Sequence, residues 1–168
     1  MNLPAIILSA ILMITSIKQN QDSYLLNSSI MKTENIWRIV NDGVMGGISG
    51  SSLVLTDAEH GRFSGHVSLA NNGGFASVQL NKTIKLAGER KFIVLRVKGD
   101  GKRYEFRLNS EPSQYESYVH QFDTSGEWET IKLAISEFYP TFRGSKLNIP
   151  NFNFEQIRVR KNFSRRHS

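Results

Sequence analysis

Between Arg62 and Leu69 apolar and polar residues alternate, with Phe63, Gly65, Val67 and Leu69 pointing one way and Arg62, Ser64, His66 and Ser68 the other. A period of two marks a strand with one buried and one wet face. Tyr104 to Asn109 repeats the rule with Tyr104, Phe106 and Leu108 inward, while Phe92 to Val97 is nearly continuously apolar, as a central strand covered on both faces would be. Aromatic and β-branched residues predict further strands at Leu53–Thr56, Phe75–Leu80, Tyr115–Phe122, Trp128–Leu133 and Phe154–Val159. No long amphipathic helix competes with them.

Turn residues fall between these runs. Asn41-Asp42-Gly43, Asn71-Asn72-Gly73-Gly74, Gly99-Asp100-Gly101 and Thr124-Ser125-Gly126 supply residue types that reach positive φ at low cost. Many short strands separated by such turns predict an all-β chain folded as a jelly-roll β-sandwich. Ser136–Pro150 breaks the pattern: Phe138, Tyr139, Phe142 and Leu147 are interspersed with Pro140, Gly144 and Pro150, which reads as an ordered loop with one helical turn capping the core.

The ends differ from the middle. Leu3 to Ile17 is an apolar run shorter than the roughly 20 residues needed to span a bilayer, and it suits a signal peptide, although no Lys or Arg precedes it and no small-x-small cleavage site follows. The expected organisation is therefore an apolar leader at 1–17, a polar linker at 18–35, a sandwich at 36–157 and a basic tail at 158–168. With a cleaved leader the protein would be periplasmic or secreted; otherwise it would be cytoplasmic or membrane-associated. Arg158, Arg160, Lys161, Arg165 and Arg166 supply five of the six excess positive charges, so the basic balance describes the tail and implies no specific nucleic-acid partner.

The residue types leave little room for catalysis. The chain has no cysteine, which removes disulfides, thiol nucleophiles and thiolate metal sites. The four histidines, His60, His66, His120 and His167, lack paired metal-ligand spacing, so no metal or cofactor is expected. Gly43-Val44-Met45-Gly46-Gly47-Ile48-Ser49-Gly50 is glycine-rich like a phosphate cradle, but a strand-like segment follows it where a helix is required, and a tight turn with Met45 filling a gap is the simpler reading. Glu105 and Glu116 could face each other as a hydrolytic pair, yet Arg107 shares the face of Glu105 and suits a solvated ion pair better. The same face, with Arg107 and Asn109 joined either by Tyr118 and His120 or by Tyr115 and Gln121 according to register, could bind a glycan.

Five ordered motifs then carry a resemblance. Trp37-Arg38-Ile39-Val40-Asn41-Asp42-Gly43-Val44-Met45-Gly46-Gly47-Ile48-Ser49, Asn72-Gly73-Gly74-Phe75-Ala76-Ser77, Lys98-Gly99-Asp100-Gly101-Lys102-Arg103-Tyr104, Gly126-Glu127-Trp128 and Tyr139-Pro140-Thr141-Phe142-Arg143-Gly144 resemble, in this order, the pattern of the complex I intermediate-associated protein 30 family. The resemblance implies a galactose-binding-domain-like jelly roll and a non-enzymatic, chaperone-like role in assembling a respiratory complex. A protein partner bound at the loop end is then expected, with Asp42, Met45, Asn72, Asp100 and Arg143 as candidates. The alternative is a carbohydrate-binding module at a periplasmic or cell-surface site, using Arg107, Asn109 and Tyr118.

The chain departs from the family pattern at both ends. Tyr24-Leu25-Leu26-Asn27-Ser28-Ser29-Ile30 stands where a Phe-Asp-Phe-like strand is usual, and the sequence beyond Glu155 lacks the usual pair of apolar strands. A missing terminal strand would expose a sheet edge and favour self-association.

Overall fold

The computed structural model describes residues 6–8, 36–86, 91–111, 113–154 and 156–159; the side chains of 6–8, 44, 45, 72, 82 and 156–159 lie outside that description. Among the described residues there are thirteen strands: β1 (Ile6–Leu8), β2 (Trp37–Asn41), β3 (Gly50–Leu55), β4 (Gly61–His66), β5 (Ala76–Leu80), β6 (Lys82–Lys85), β7 (Phe92–Lys98), β8 (Arg103–Leu108), β9 (Ser117–Asp123), β10 (Trp128–Ala134), β11 (Tyr139–Phe142), β12 (Ser145–Lys146) and β13 (Gln156–Val159). The helical content of the described residues is three short 3-10 turns at Asp42–Met45, Ala70–Asn72 and Ile135–Glu137.

The strands form an all-β sandwich. One sheet has the order β10-β7-β1-β4-β3 and another the order β12-β11-β9-β8, with the pairs β2-β5 and β13-β6 beside them. Alternation explains the packing, because Phe63, Ile93, Leu95, Val97 and Leu133 from the first sheet meet Tyr104, Phe106, Leu108 and Phe122 from the second in one core. Val78, Leu80, Ile84 and Phe138 complete it. Burying each such side chain stabilises the fold by roughly 1.5–3 kcal/mol.

Several expectations change. Leu69 does not point inward: β4 ends at His66, and Leu69 is 57% exposed on the loop that follows. On β7 only one face is fully apolar, since Arg96 emerges on the other. Ser136–Pro150 is not a loop with one helical turn; after the turn at Ile135–Glu137 it forms the β11–β12 hairpin. The two hairpin residues Arg143 (φ 47°) and Gly144 (φ 90°) both take positive φ, as a tight two-residue turn requires.

Part of the N-terminal apolar run also contributes to the sheet. Ile6–Leu8 lies between β4 and β7, with Ile6 opposite Phe63, Ile7 opposite both Arg62 and Lys98, and Leu8 opposite Gly61. At the other end Arg158 and Val159, read as the start of a tail, belong to β13 and pair with Thr83 and Lys82. Tyr24–Ile30 and the remainder of the tail lie outside the described residues.

Candidate partner-binding surface

Asp42 organises the loop end. Leaving β2, the chain turns through Asp42–Met45, and Gly46 at φ 88° sends it back so that the Gly47 amide donates to the Asp42 carbonyl at 3.1 Å. The Asp42 side chain is 1% exposed. Its carboxylate accepts from the Ser49 amide at 2.9 Å, the Ser49 hydroxyl, the Gly74 amide at 2.6 Å and the Phe75 amide at 3.2 Å. Burial alone would push this carboxyl up; the bonds from the Ser49 hydroxyl and the Gly74, Ser49 and Phe75 amides outweigh it and hold the group below the ordinary aspartate range.

Two glycines permit this approach. A Cβ on Gly47 or Gly73 would run into the Asp42 carboxylate, so only glycine lets both loops close on it. Asp42 therefore clasps distant loops together and does not simply form its own turn. The clasp fixes Ile48, 61% exposed, and Leu69 on the surface of those loops. Met45 and Asn72 sit in the two 3-10 turns beside the clasp, their side chains outside the described ones.

Asp100 is structural in the same manner. Its side chain is 2% exposed, accepts from the Tyr104 hydroxyl at 2.6 Å and pairs with the Lys102 ammonium at 2.9 Å, holding the β7–β8 turn at Gly101 (φ 77°). Thr124 locks that turn from the far side through the Lys102 amide (3.1 Å) and carbonyl (2.9 Å).

The expected glycan face is not assembled. Pairing of β8 with β9 sets Glu105 opposite Gln121, Arg107 opposite Val119 and Leu108 opposite Tyr118, so Tyr118 shares the core face with Leu108, away from Arg107. Tyr118 is 4% exposed and packs edge-on against Phe152, and burial, with Glu116 and Tyr115 adding, pushes its phenol up. Arg107 and Asn109 are buried as well, which corrects the solvated reading of that face. Arg107 donates to Glu105 and, at 3.3 Å, to the Thr141 hydroxyl; Asn109 donates to the Glu116 carbonyl at 2.7 Å. These groups occupy one another, and Tyr118 offers a sugar no platform; of the two registers the observed one is that which brings Gln121 beside Glu105.

Arg143 alone among the described candidates offers its side chain outward. Held at the tip of the β11–β12 hairpin, its guanidinium lies 5.3 Å from the centre of the Phe142 ring, and Phe142 meets Tyr115 edge-on at 5.5 Å. Tyr115 is 67% and Phe142 39% exposed. The sequence did contain this signal: Arg143-Gly144 between strand-forming residues marks a two-residue hairpin, which would have put Phe142 at a tip and not over the core. The Ser49–Asp42 bond spans six intervening residues of irregular backbone and had no such signal.

Among the described residues no group of three or more His, Asp or Glu side chains could hold a metal ion. The His120 ring faces two acceptors, the Glu137 carboxylate from Nε2 (3.2 Å) and the Gln121 carbonyl from Nδ1 (2.8 Å), and donates to whichever its tautomer serves, while His167 lies outside the described residues. No described helix is long and apolar enough to cross a membrane.

The family profile described as complex I intermediate-associated protein 30 matches residues 25–160. The chain belongs to that family. Two relatives, each named "Probable complex I intermediate-associated protein 30, mitochondrial", come from Caenorhabditis elegans and Caenorhabditis briggsae. Each is 30% identical over 132 residues, covering 66% of this chain and 39% of the relative. This complex I intermediate-associated protein 30 domain thus spans under half the length of the relatives it matches.

Proposed function

We propose that the chain is a non-catalytic assembly or chaperone-like factor that binds a protein partner during construction of a respiratory complex. Family membership and the relatives' names support the complex I setting. The observation that carries the binding mode is the exposed Tyr115–Phe142–Arg143 stack. Tyr and Arg are the side chains that most often dominate the energetics of protein interfaces, and here the ring contact pre-orders the guanidinium for a carboxylate. Ile48 and Leu69, fixed by the Asp42 clasp, supply a second exposed apolar element on rigid loops.

Neither glycan binding nor edge-mediated self-association draws support from the placement of these residues. Export rests on the apolar run alone, whereas the relatives carry "mitochondrial" in their names.

The test is quantitative mass spectrometry of cross-linked complexes from the native host, with wild type beside Tyr115→Ala and Arg143→Ala. Complex I subunits should enrich with wild type and fall by roughly thirtyfold in affinity terms, about 2 kcal/mol, for a truncated hot spot. Complex I subunits absent from the wild-type sample would end the assembly reading; their equal recovery with both variants would end the assignment of the stack.

A further inference from the structure

The outward face of the five-stranded sheet has one sign of charge. Where Phe63, Ile93, Leu95, Val97 and Leu133 point into the core, the alternating positions present Arg62 on β4, Arg96 and Lys98 on β7, and Lys132 on β10. Arg62, Arg96 and Lys132 are exposed. Among the described residues no carboxylate occupies an outward position on β3, β4, β7 or β10. Acids stand at the margin: Glu127, just ahead of β10, pairs with Lys98 at 3.4 Å, and Asp57 and Glu59 lie in the β3–β4 turn, while Arg62, Arg96 and Lys132 stay exposed on the face.

The face is also ordered around an aromatic. Trp128 stands opposite Lys98 and Thr130 opposite Arg96 in the β7–β10 register. The Arg96 guanidinium lies 5.8 Å from the centre of the Trp128 ring, and His60 meets the same ring edge-on at 4.9 Å. Stacked on the indole and within 3.5 Å of the Thr130 hydroxyl, Arg96 is pre-ordered, so less rotamer freedom is lost when it meets an anion.

We propose that this face docks an acidic segment of a protein partner. The inference rests on the protein-binding reading and adds the partner's chemistry, on a different sheet from Tyr115 and Phe142. Charge complementarity selects the occupant. Three exposed cations are few for nucleic acid, where binding usually involves about 6–10 phosphate contacts. A membrane surface would need apolar side chains to insert, and Val54, 41% exposed, is the one large aliphatic group that the outward positions expose among the described residues. An extended acidic peptide needs only carboxylates matched to Arg62, Arg96 and Lys132, with the Trp128 ring beneath.

The full chain is titrated with a fluorescein-labelled oligoglutamate peptide by anisotropy, beside labelled duplex DNA and phosphatidylglycerol vesicles. Saturable peptide binding should weaken at least about tenfold in Arg62→Glu/Arg96→Glu/Lys132→Glu and less in the matching glutamine triple. A control triple, Arg38→Glu/Lys85→Glu/Lys91→Glu, carries the same net charge and should retain wild-type affinity. Equal loss in the control would show net-charge attraction only and overturn the site; tighter binding of DNA or vesicles through the same three residues would overturn the acidic peptide as occupant. Should the glutamate triple melt early, the glutamine triple decides, and its unchanged affinity would refute the proposal. The aromatic stack is read separately, through the cross-linking recovery with Tyr115→Ala and Arg143→Ala, so the failure of this site and the failure of the stack are distinguishable.

Discussion

Removing the Asp42 carboxylate should unfasten the loop end. In Asp42→Ala the Ser49, Gly74 and Phe75 amides and the Ser49 hydroxyl all lose their acceptor at once. A hydrogen bond to a charged group contributes about 1.5–3 kcal/mol, and a buried donor left without a partner costs about 1–3 kcal/mol. The four are not additive, because two donors belong to Ser49 and the loops can relax toward water. An overall destabilisation of about 3–4 kcal/mol follows, with about 2 kcal/mol for Asp42→Asn, which keeps one acceptor oxygen and turns an amide NH2 toward donors. Urea unfolding followed by circular dichroism at neutral pH measures both. A midpoint for Asp42→Ala equal to wild type would refute the clasp.

The same carboxylate fixes a pH dependence. Its folded-state pKa lies below the ordinary aspartate range of about 4, so within the window between the two values the unfolded chain binds the extra proton and stability rises with pH. The contribution is complete above about pH 4 and is lost as pH falls through the folded value. Wild type should therefore lose stability on acidification faster than Asp42→Asn, the two curves converging at low pH. Parallel curves would show that the carboxylate is not held ionised by its donors.

Two further perturbations address the sheets. Arg107→Met leaves Glu105 buried without its cation and should cost about 3–5 kcal/mol, whereas the double change Glu105→Leu/Arg107→Met should recover much of the loss; denaturant midpoints across the cycle give the coupling, and strict additivity would show that the pair does not interact. Ile7→Pro removes the amide of a residue that pairs with both Arg62 and Lys98, so hydrogen exchange should quicken at the neighbouring edges of β4 and β7 while β8 and β9 keep their protection; unchanged exchange on β4 and β7 would show that the N-terminal apolar run does not complete the sheet.

How far the sequence could be read depends on the range of the physics involved. The core rows of β8 and β7 follow from local alternation, and Tyr104, Phe106 and Leu108 are buried as their spacing requires. The same rule failed for the opposite row of β8. Alternation says that Glu105, Arg107 and Asn109 share a face but not whether that face meets water, and a polar row can be buried wherever its members satisfy one another, as Arg107 does with Glu105 and Thr141. Leu69 fails for the converse reason: an apolar residue in phase with a strand is exposed once the strand stops at His66.

Register decided the remaining candidates. A shift of one residue between β8 and β9 would have carried Tyr118 to the Arg107 face and offered a sugar an aromatic platform. The observed pairing of Leu108 with Tyr118 instead sends that ring inward against buried Phe152, with the exposed Phe154 meeting it edge-on. The aromatic groups left for recognition are then those that strand geometry forces outward. Phe142 is at a hairpin tip, where positive φ at Arg143 and Gly144 ends the strand, and Trp128 is at the first position of β10. Each carries an arginine over its ring, one on each of the two larger sheets. Because each guanidinium is ordered by its own ring and the two stand on different sheets, they offer a partner two separate cationic contacts, each set for a carboxylate.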